Sequence, residues 1–181
     1  MGRYIEKSLR GDEKLVYSAD LHWIVYHFGA IITLFGALLG HYGHKFVKPL
    51  FGAEIAKMVD LPISYISGGI IAIGALYLVF GFIRQISTEL VITNQRVIAK
   101  YGLISVTTYE LMMNKVEGAN IDQSITGRLL GYGTVRVRGT GGGISPIDHV
   151  AKPHKFHAYL MQTLERLEKQ NKKNEKNAQE L

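Results

Sequence analysis

Two glycine clusters flanked by arginine are the first places in this chain where side-chain chemistry could gather. They are GRLLGYG at residues 127–133 and GTGGG at 139–143. Successive glycines can turn backbone amides toward an anion, and Arg128, Arg136 and Arg138 nearby could add charge-assisted bonds to a phosphate. The common nucleotide loops require GxxxxGK[ST], or GxGxxG opening a helix after a parallel strand, and neither is present. Tight turns at the rim of a small sheet account for the same glycines.

The histidines form two pairs spaced by three, His41 with His44 and His154 with His157. On a helix either pair could share a metal, but neither has a third ligand close by. No metal and no other cofactor is expected. Glu117, Asp122, Asp148 and His149 match no serine, histidine and acid arrangement, no paired-carboxylate spacing and no HExxH pattern. The absence of cysteine removes thiolate catalysis and a disulfide framework. The expectation is a protein that is not an enzyme.

The elements that carry these residues divide the 181-residue chain unevenly. Two stretches contain no Asp, Glu, Lys or Arg, one of 24 residues from Leu21 to His44 and one of 23 from Leu61 to Ile83. About 20 apolar residues in a helix cross the hydrocarbon of a bilayer. Spans at about 21–40 and 62–83, joined by a connection at 41–61, therefore predict a transmembrane hairpin. The polar leader at 1–20 argues against a cleaved signal peptide. Lys and Arg in the leader (Arg3, Lys7, Arg10, Lys14) and after the second span (Arg84, Arg96, Lys100) slightly outweigh Lys45, Lys48 and Lys57 of the connection. That bias places both termini in the cytoplasm. Small residues recur along both spans, and Gly29, Gly36, Gly40, Gly74 and Gly81 are the candidate packing positions, either between the helices of one chain or between neighbouring chains of a homo-oligomer. The connection reads either as an interfacial helix interrupted at Pro49 or as an irregular loop.

After Arg84 the hydrophobic period changes from helical to extended. Residues 87–93, 96–101, 104–111, 115–121 and 134–138 read as strands, and 142–150 supplies one or two more. A helical turn at 124–130 would carry Leu129 and Leu130 into the core. From Pro153, the stripe Phe156, Leu160, Leu164 and Leu167 predicts an amphipathic helix lying on a curved sheet. The polar run at 169–181 predicts a disordered tail.

The run STELVITNQRVIAKYGLI followed by LMMNKVEGANIDQSITGRLLGYGTVRVRGTGGG resembles the membrane-anchored bacterial pleckstrin-homology-like family, a group largely without assigned function. The resemblance implies a fold: a small all-β barrel of about seven strands capped by a C-terminal α-helix, here at 84–168 behind the two-span transmembrane helical hairpin. In eukaryotic pleckstrin-homology domains a basic loop between the first two strands grips phosphoinositides. The corresponding connection here is Asn94-Gln95, which carries no charge, so inositide recognition is not implied.

From Arg84 onward 14 lysines and arginines face 9 acids, giving net +5 of the chain's +6. Beside anionic lipid each cation contributes up to about 1 kcal/mol, and Arg128, Arg136, Arg138, Lys152 and Lys155 are the candidate lipid or anion contacts. The same charges also read as ordinary solvated side chains. Nucleic acid is not an expected partner, since neither a recognised motif nor an aromatic platform accompanies the charge. The reading is a membrane-anchored interaction or scaffold module of the bacterial cytoplasmic membrane, binding membrane lipids and an unidentified protein or itself. The alternatives are an anionic-lipid sensor and an accessory subunit of a transport or envelope complex.

Overall fold

The computed structural model describes residue 9, residues 11–103 and residues 105–179 of the chain. Arg3, Lys7 and Arg10, invoked above for orientation, lie outside the described residues. The described residues divide into two compact units, one within Met1–His22 and Gln85–Leu181 and the other within Trp23–Arg84.

The second unit is helical. After a 3-10 turn at Trp23–Tyr26, the helical run α1 covers His27–Ser87 and is broken into two helices at Gly52, whose φ of 84° and ψ of 170° are not helical. Glycine tolerates that φ because it has no Cβ. The connection at 41–61 is thus helical on both sides of a sharp break, and Pro62 sits inside the second of the two helices. The two helices run antiparallel: Gly29 lies against Leu78, Gly36 against Ile70 and Ile71, and Gly43 against Ile63. The segments Trp23–Gly43 and Asp60–Ser87 are long and apolar enough to cross a membrane. Phe28, Ile31, Leu34, Phe35, Tyr65, Leu76 and Phe80 remain exposed on them.

The first unit contains two antiparallel sheets. Strand β1 (Leu15–Ala19) precedes the helices, whereas β2 (Glu89–Thr93), β3 (Arg96–Tyr101) and β4 (Thr107–Met112) follow them, and the sheet order is β1-β2-β3-β4. The second sheet consists of β5 (Val116–Asp122), β6 (Tyr132–Gly139), the two-residue β7 (Gly142–Gly143) and β8 (Ile147–Ala151), with β6 pairing all three others. Helix α2 (Ile125–Leu130) joins β5 to β6, and α3 (Pro153–Gln179) closes the chain.

The expected all-β barrel does not form. Neither sheet closes, and the result is a mixed α and β domain of two sheets with helices. A 3-10 turn at Met113–Lys115 bends the chain between β4 and β5, and across the other flank an isolated bridge joins Leu21 to Val150. A barrel requires continuous ladders around its circumference with consistent strand stagger, and both seams lack one among the described residues. The space between the sheets is filled instead by α3, which packs on β1, β5 and β6. Phe156 and Leu160 are fully buried there.

The first sheet buries both faces of β2. Leu90 and Ile92 share a face with Tyr17 of β1 by register, and Tyr17 stacks on Tyr159 at 4.7 Å and meets Phe156 edge-on at 6.3 Å. Val91 and Ile98 point the other way, where Leu9 packs on them. The residues read as a leader therefore supply a strand and a cover to the domain. The polar end of α3 stays helical to Gln179 rather than disordered. The segment 164–179 contains no proline, glycine or β-branched residue, and Glu165 with Lys169 and Glu168 with Lys172 stand four apart in the favourable order.

Candidate functional site

Thr93, Asn94 and Arg96 sit at the two-residue turn between β2 and β3, and together they hold the N-terminal segment. The Arg96 guanidinium donates from Nε to Glu13 Oε1 at 2.9 Å and from Nη2 to Glu13 Oε2 at 2.8 Å. A third bond runs from Nη1 to Glu110 Oε2 at 2.6 Å. The Glu13 side chain is 0% exposed and that of Arg96 6%, whereas Glu110 is 44% exposed. The hydrogen bond to Glu13 raises the arginine's pKa, against the lowering from burial, and Glu110's charge adds to the rise. Arginine therefore stays charged at every accessible pH. The Thr93 hydroxyl reaches both Glu13 Oε1 and the Arg96 carbonyl, and accepts from the Arg96 amide. Asn94 accepts from the Lys14 amide at 2.7 Å and donates to the Asp12 carbonyl. A turn without charge at its tip is here an internal clamp, and sequence reading missed its buried carboxylate because Glu13 lies 83 residues from Arg96.

Around α2 the glycines act through close packing. Ser124 caps the helix by accepting from the Gly127 amide at 3.1 Å, and Gly131 ends it at φ 80°. Gly127 is buried, and a Cβ there would meet the Tyr132 carbonyl at 2.7 Å. The helix thus approaches the sheet by its glycine. The expected insertion of Leu129 and Leu130 into the core is corrected: they are 84% and 42% exposed, and Ile125 is 88% exposed.

The five basic candidates fall into two groups. Arg128 lies on α2, and Lys152 donates its amide to the Gly131 carbonyl at the C-terminal end of that helix. Lys155 follows in the first turn of α3, its amide bonded to the Lys152 carbonyl. Arg136 and Arg138 alternate outward along β6 toward its far end, beside a shallow cleft of about 390 Å³ at Gly142 and Gly143. Arg136 stands 3.8 Å from Asp122. The two ends of β6, Tyr132 and Gly139, are seven residue steps apart, about 23 Å of extended chain.

The packing glycines all lie within the helical unit. A Cβ on Gly36 would come within 2.9 Å of Ile70 and Ile71, one on Gly40 within 2.9 Å of Ser67 Oγ, and one on Gly81 within 3.1 Å of Tyr26 and the Val25 carbonyl. Gly74 lies directly against Thr33.

Two larger open clefts lie among the described residues. One, of about 780 Å³, is lined by Asp122, Gln123, Ser124, Thr134, Asp148 and His149. Its polar groups are largely occupied with one another: Thr134 donates to Asp148 at 3.0 Å, and Gln123 donates to the Tyr132 carbonyl at 2.7 Å while its Oε1 meets His154 Nε2 at 2.8 Å. Among the described residues no three His, Cys, Asp or Glu side chains converge as a metal site. His41 Nε2 meets Lys45 Nζ at 3.4 Å, and the side chain of His44 lies outside those described. The other cleft, of about 960 Å³, runs between α3 and the β4–β5 bend. Met112, Met113, Val116, Leu164 and Leu167 form its apolar wall, beside β4, the edge strand of the first sheet.

A family model described as Bacterial PH domain matches residues 32–173, most of the chain. The protein belongs to the bacterial PH domain family. No curated protein and no solved structure gives a significant match. The PH-domain match takes in part of the helical unit, β2 to β8 and most of α3, and it begins after Glu13 and β1. The buried partner of Arg96 is thus contributed by sequence outside the family-matched region of this bacterial PH protein.

Proposed function

We propose that this bacterial PH protein is a membrane-anchored interaction module whose groove between α3 and β4 receives a segment of a protein partner or of a second copy. The observation that carries the reading is the groove of about 960 Å³ with Met112, Met113, Leu164 and Leu167 on its wall. Methionine-rich walls adapt to varied apolar side chains, and an adjacent free strand edge offers main-chain bonds to an extended peptide. In this reading the two long apolar helices cross the bacterial cytoplasmic membrane and leave both termini in the cytoplasm. A second reading, contact with anionic lipid, is favoured by the grouping of Arg128, Lys152 and Lys155 around the C-terminal end of α2.

The test is a photo-crosslinking residue placed at Met112 or Leu164 in cells, with capture from native membranes and mass spectrometry. Crosslinks from Met112 that are lost in Leu164→Glu, together with crosslinks from Leu164, both absent from a probe at exposed Arg166, support the groove. Equal labelling from Arg166, or crosslinks indifferent to Leu164→Glu, would refute it. Epitope tags at the two ends found on opposite sides of the bilayer would overturn the topology.

A further inference from the structure

Ile125 and Leu129, at 88% and 84%, are more exposed than any large hydrophobic residue described on the two long helices. Four residues apart, they share one face of α2. Leu103 and Val106, in the loop between β3 and β4, are also exposed, at 52% and 47%. Single exposed apolar side chains are ordinary on protein surfaces, but clustered ones mark a contact.

Both clusters belong to the end of the sheet domain where its two chain connections emerge. The chain leaves the domain at His22 and re-enters at Gln85. His22 donates its amide to the His149 carbonyl, and its ring stacks on Tyr132 at 5.3 Å. Tyr132 follows Gly131, the cap of α2. On the other connection, α1 ends at Ser87, and Glu89 pairs with Lys100 just before the β3–β4 loop. Ala19 pairs with Leu90, so both connections leave from the same end of the β1–β2 ladder. Neither connection has a flexible spacer of glycine and serine. Charge agrees: α2 carries no acid, Arg128 on it is exposed, and so is Lys152, whose amide bonds the Gly131 carbonyl at its C-terminal end. Apolar side chains ringed by cations are what an anionic bilayer interface holds best.

We infer that this end of the domain is a lipid-docking surface, with Ile125 and Leu129 entering the interfacial layer of the bilayer and Arg128 and Lys152 meeting anionic headgroups. The inference deepens the lipid reading and rests on the lipid-crossing assignment of the two helices.

The absence of native cysteine makes the test direct. Ile125→Cys, Leu129→Cys, Asn171→Cys and Leu34→Cys are each labelled with an environment-sensitive fluorophore. The full chain is then reconstituted into vesicles of phosphatidylcholine with phosphatidylglycerol, or of phosphatidylcholine alone. Brominated lipid should quench the probes at 125, 129 and 34, while iodide quenching at 125 and 129 falls severalfold below that at 171. Combining either labelled variant with Arg128→Gln and Lys152→Gln should restore iodide access, with the larger change in vesicles containing phosphatidylglycerol. Iodide access at 125 and 129 equal to that at 171 overturns the proposal. Shielding from both quenchers also overturns it, and assigns the face to protein. Lipid quenching at 34 without quenching at 125 and 129 defeats this inference alone, whereas its absence at 34 defeats the lipid-crossing assignment as well.

Discussion

Replacing Glu13 with methionine should destabilise a sheet whose other strands lie more than 70 residues away in sequence. The variant leaves a guanidinium that is 6% exposed without the fully buried carboxylate that faced it, beside a Glu110 that is itself 44% exposed. Removing one member of a buried ion pair costs about 3–5 kcal/mol, because the other charge stays desolvated without compensation. Thr93 loses one acceptor but keeps the Arg96 carbonyl within 2.9 Å, so it adds little. At about 1.4 kcal/mol per tenfold, the opening equilibrium of β2 and β3 should rise roughly a hundredfold to a few thousandfold, capped by the global stability of the domain. Hydrogen exchange of the full chain in detergent, followed on peptides covering 89–101, reads this directly. Arg96→Met alone should do comparable damage by stranding Glu13. The double variant should recover most of the loss, since an apolar pair of similar volume replaces a buried ionic one at little cost. Exchange in Glu13→Met within about twofold of the parent, or a double variant equal to the sum of the singles, would refute the clamp.

Gly36→Leu should loosen the helix pair by about 1–3 kcal/mol through overpacking against Ile70 and Ile71, whereas Gly68→Leu, with open space at its Cβ, should not. Detergent-titrated unfolding followed by the emission of Trp23, the single tryptophan, separates the two. Gly127→Ala should accelerate exchange in β6, its Cβ pressing on the Tyr132 carbonyl, while Gly11→Ala, facing open space, should stay within about 0.5 kcal/mol of the parent. Burial raises the Tyr101 phenol to about 12, with Tyr109 and Asp148 adding to the rise. A raised folded-state pKa means that this group's stabilising contribution is complete below about pH 10 and is lost as pH climbs toward 12. Tyr101→Phe, which also removes the 2.7 Å bond to the Ser145 carbonyl, should flatten the alkaline decline of stability in that window. A decline of unchanged shape would refute this.

Much of the local structure follows from period and composition. Alternation in 134–138 marks β6 because successive side chains of a strand face opposite ways, a short apolar run between turn residues marks β3 at 96–101, and the uncharged runs mark two helices because nothing in them requires water. The stripe from Phe156 to Leu160 points α3 toward a core for the same kind of reason. What sequence could not supply is which distant segments meet. Nothing local in Leu15–Ala19 announces that it adds to β2 across the whole helical unit, or that Glu13 must be buried against Arg96. Those choices are made by satisfying a desolvated charge and an open strand edge, and both partners exist only once the chain has folded. The failure of the sheets to close is decided in the same way, at the Met113–Lys115 bend and the isolated Leu21–Val150 bridge. The outward turn of Leu129 is set by one close approach of Gly127 to a carbonyl, a steric fact of the assembled domain that hydrophobicity alone would read as burial.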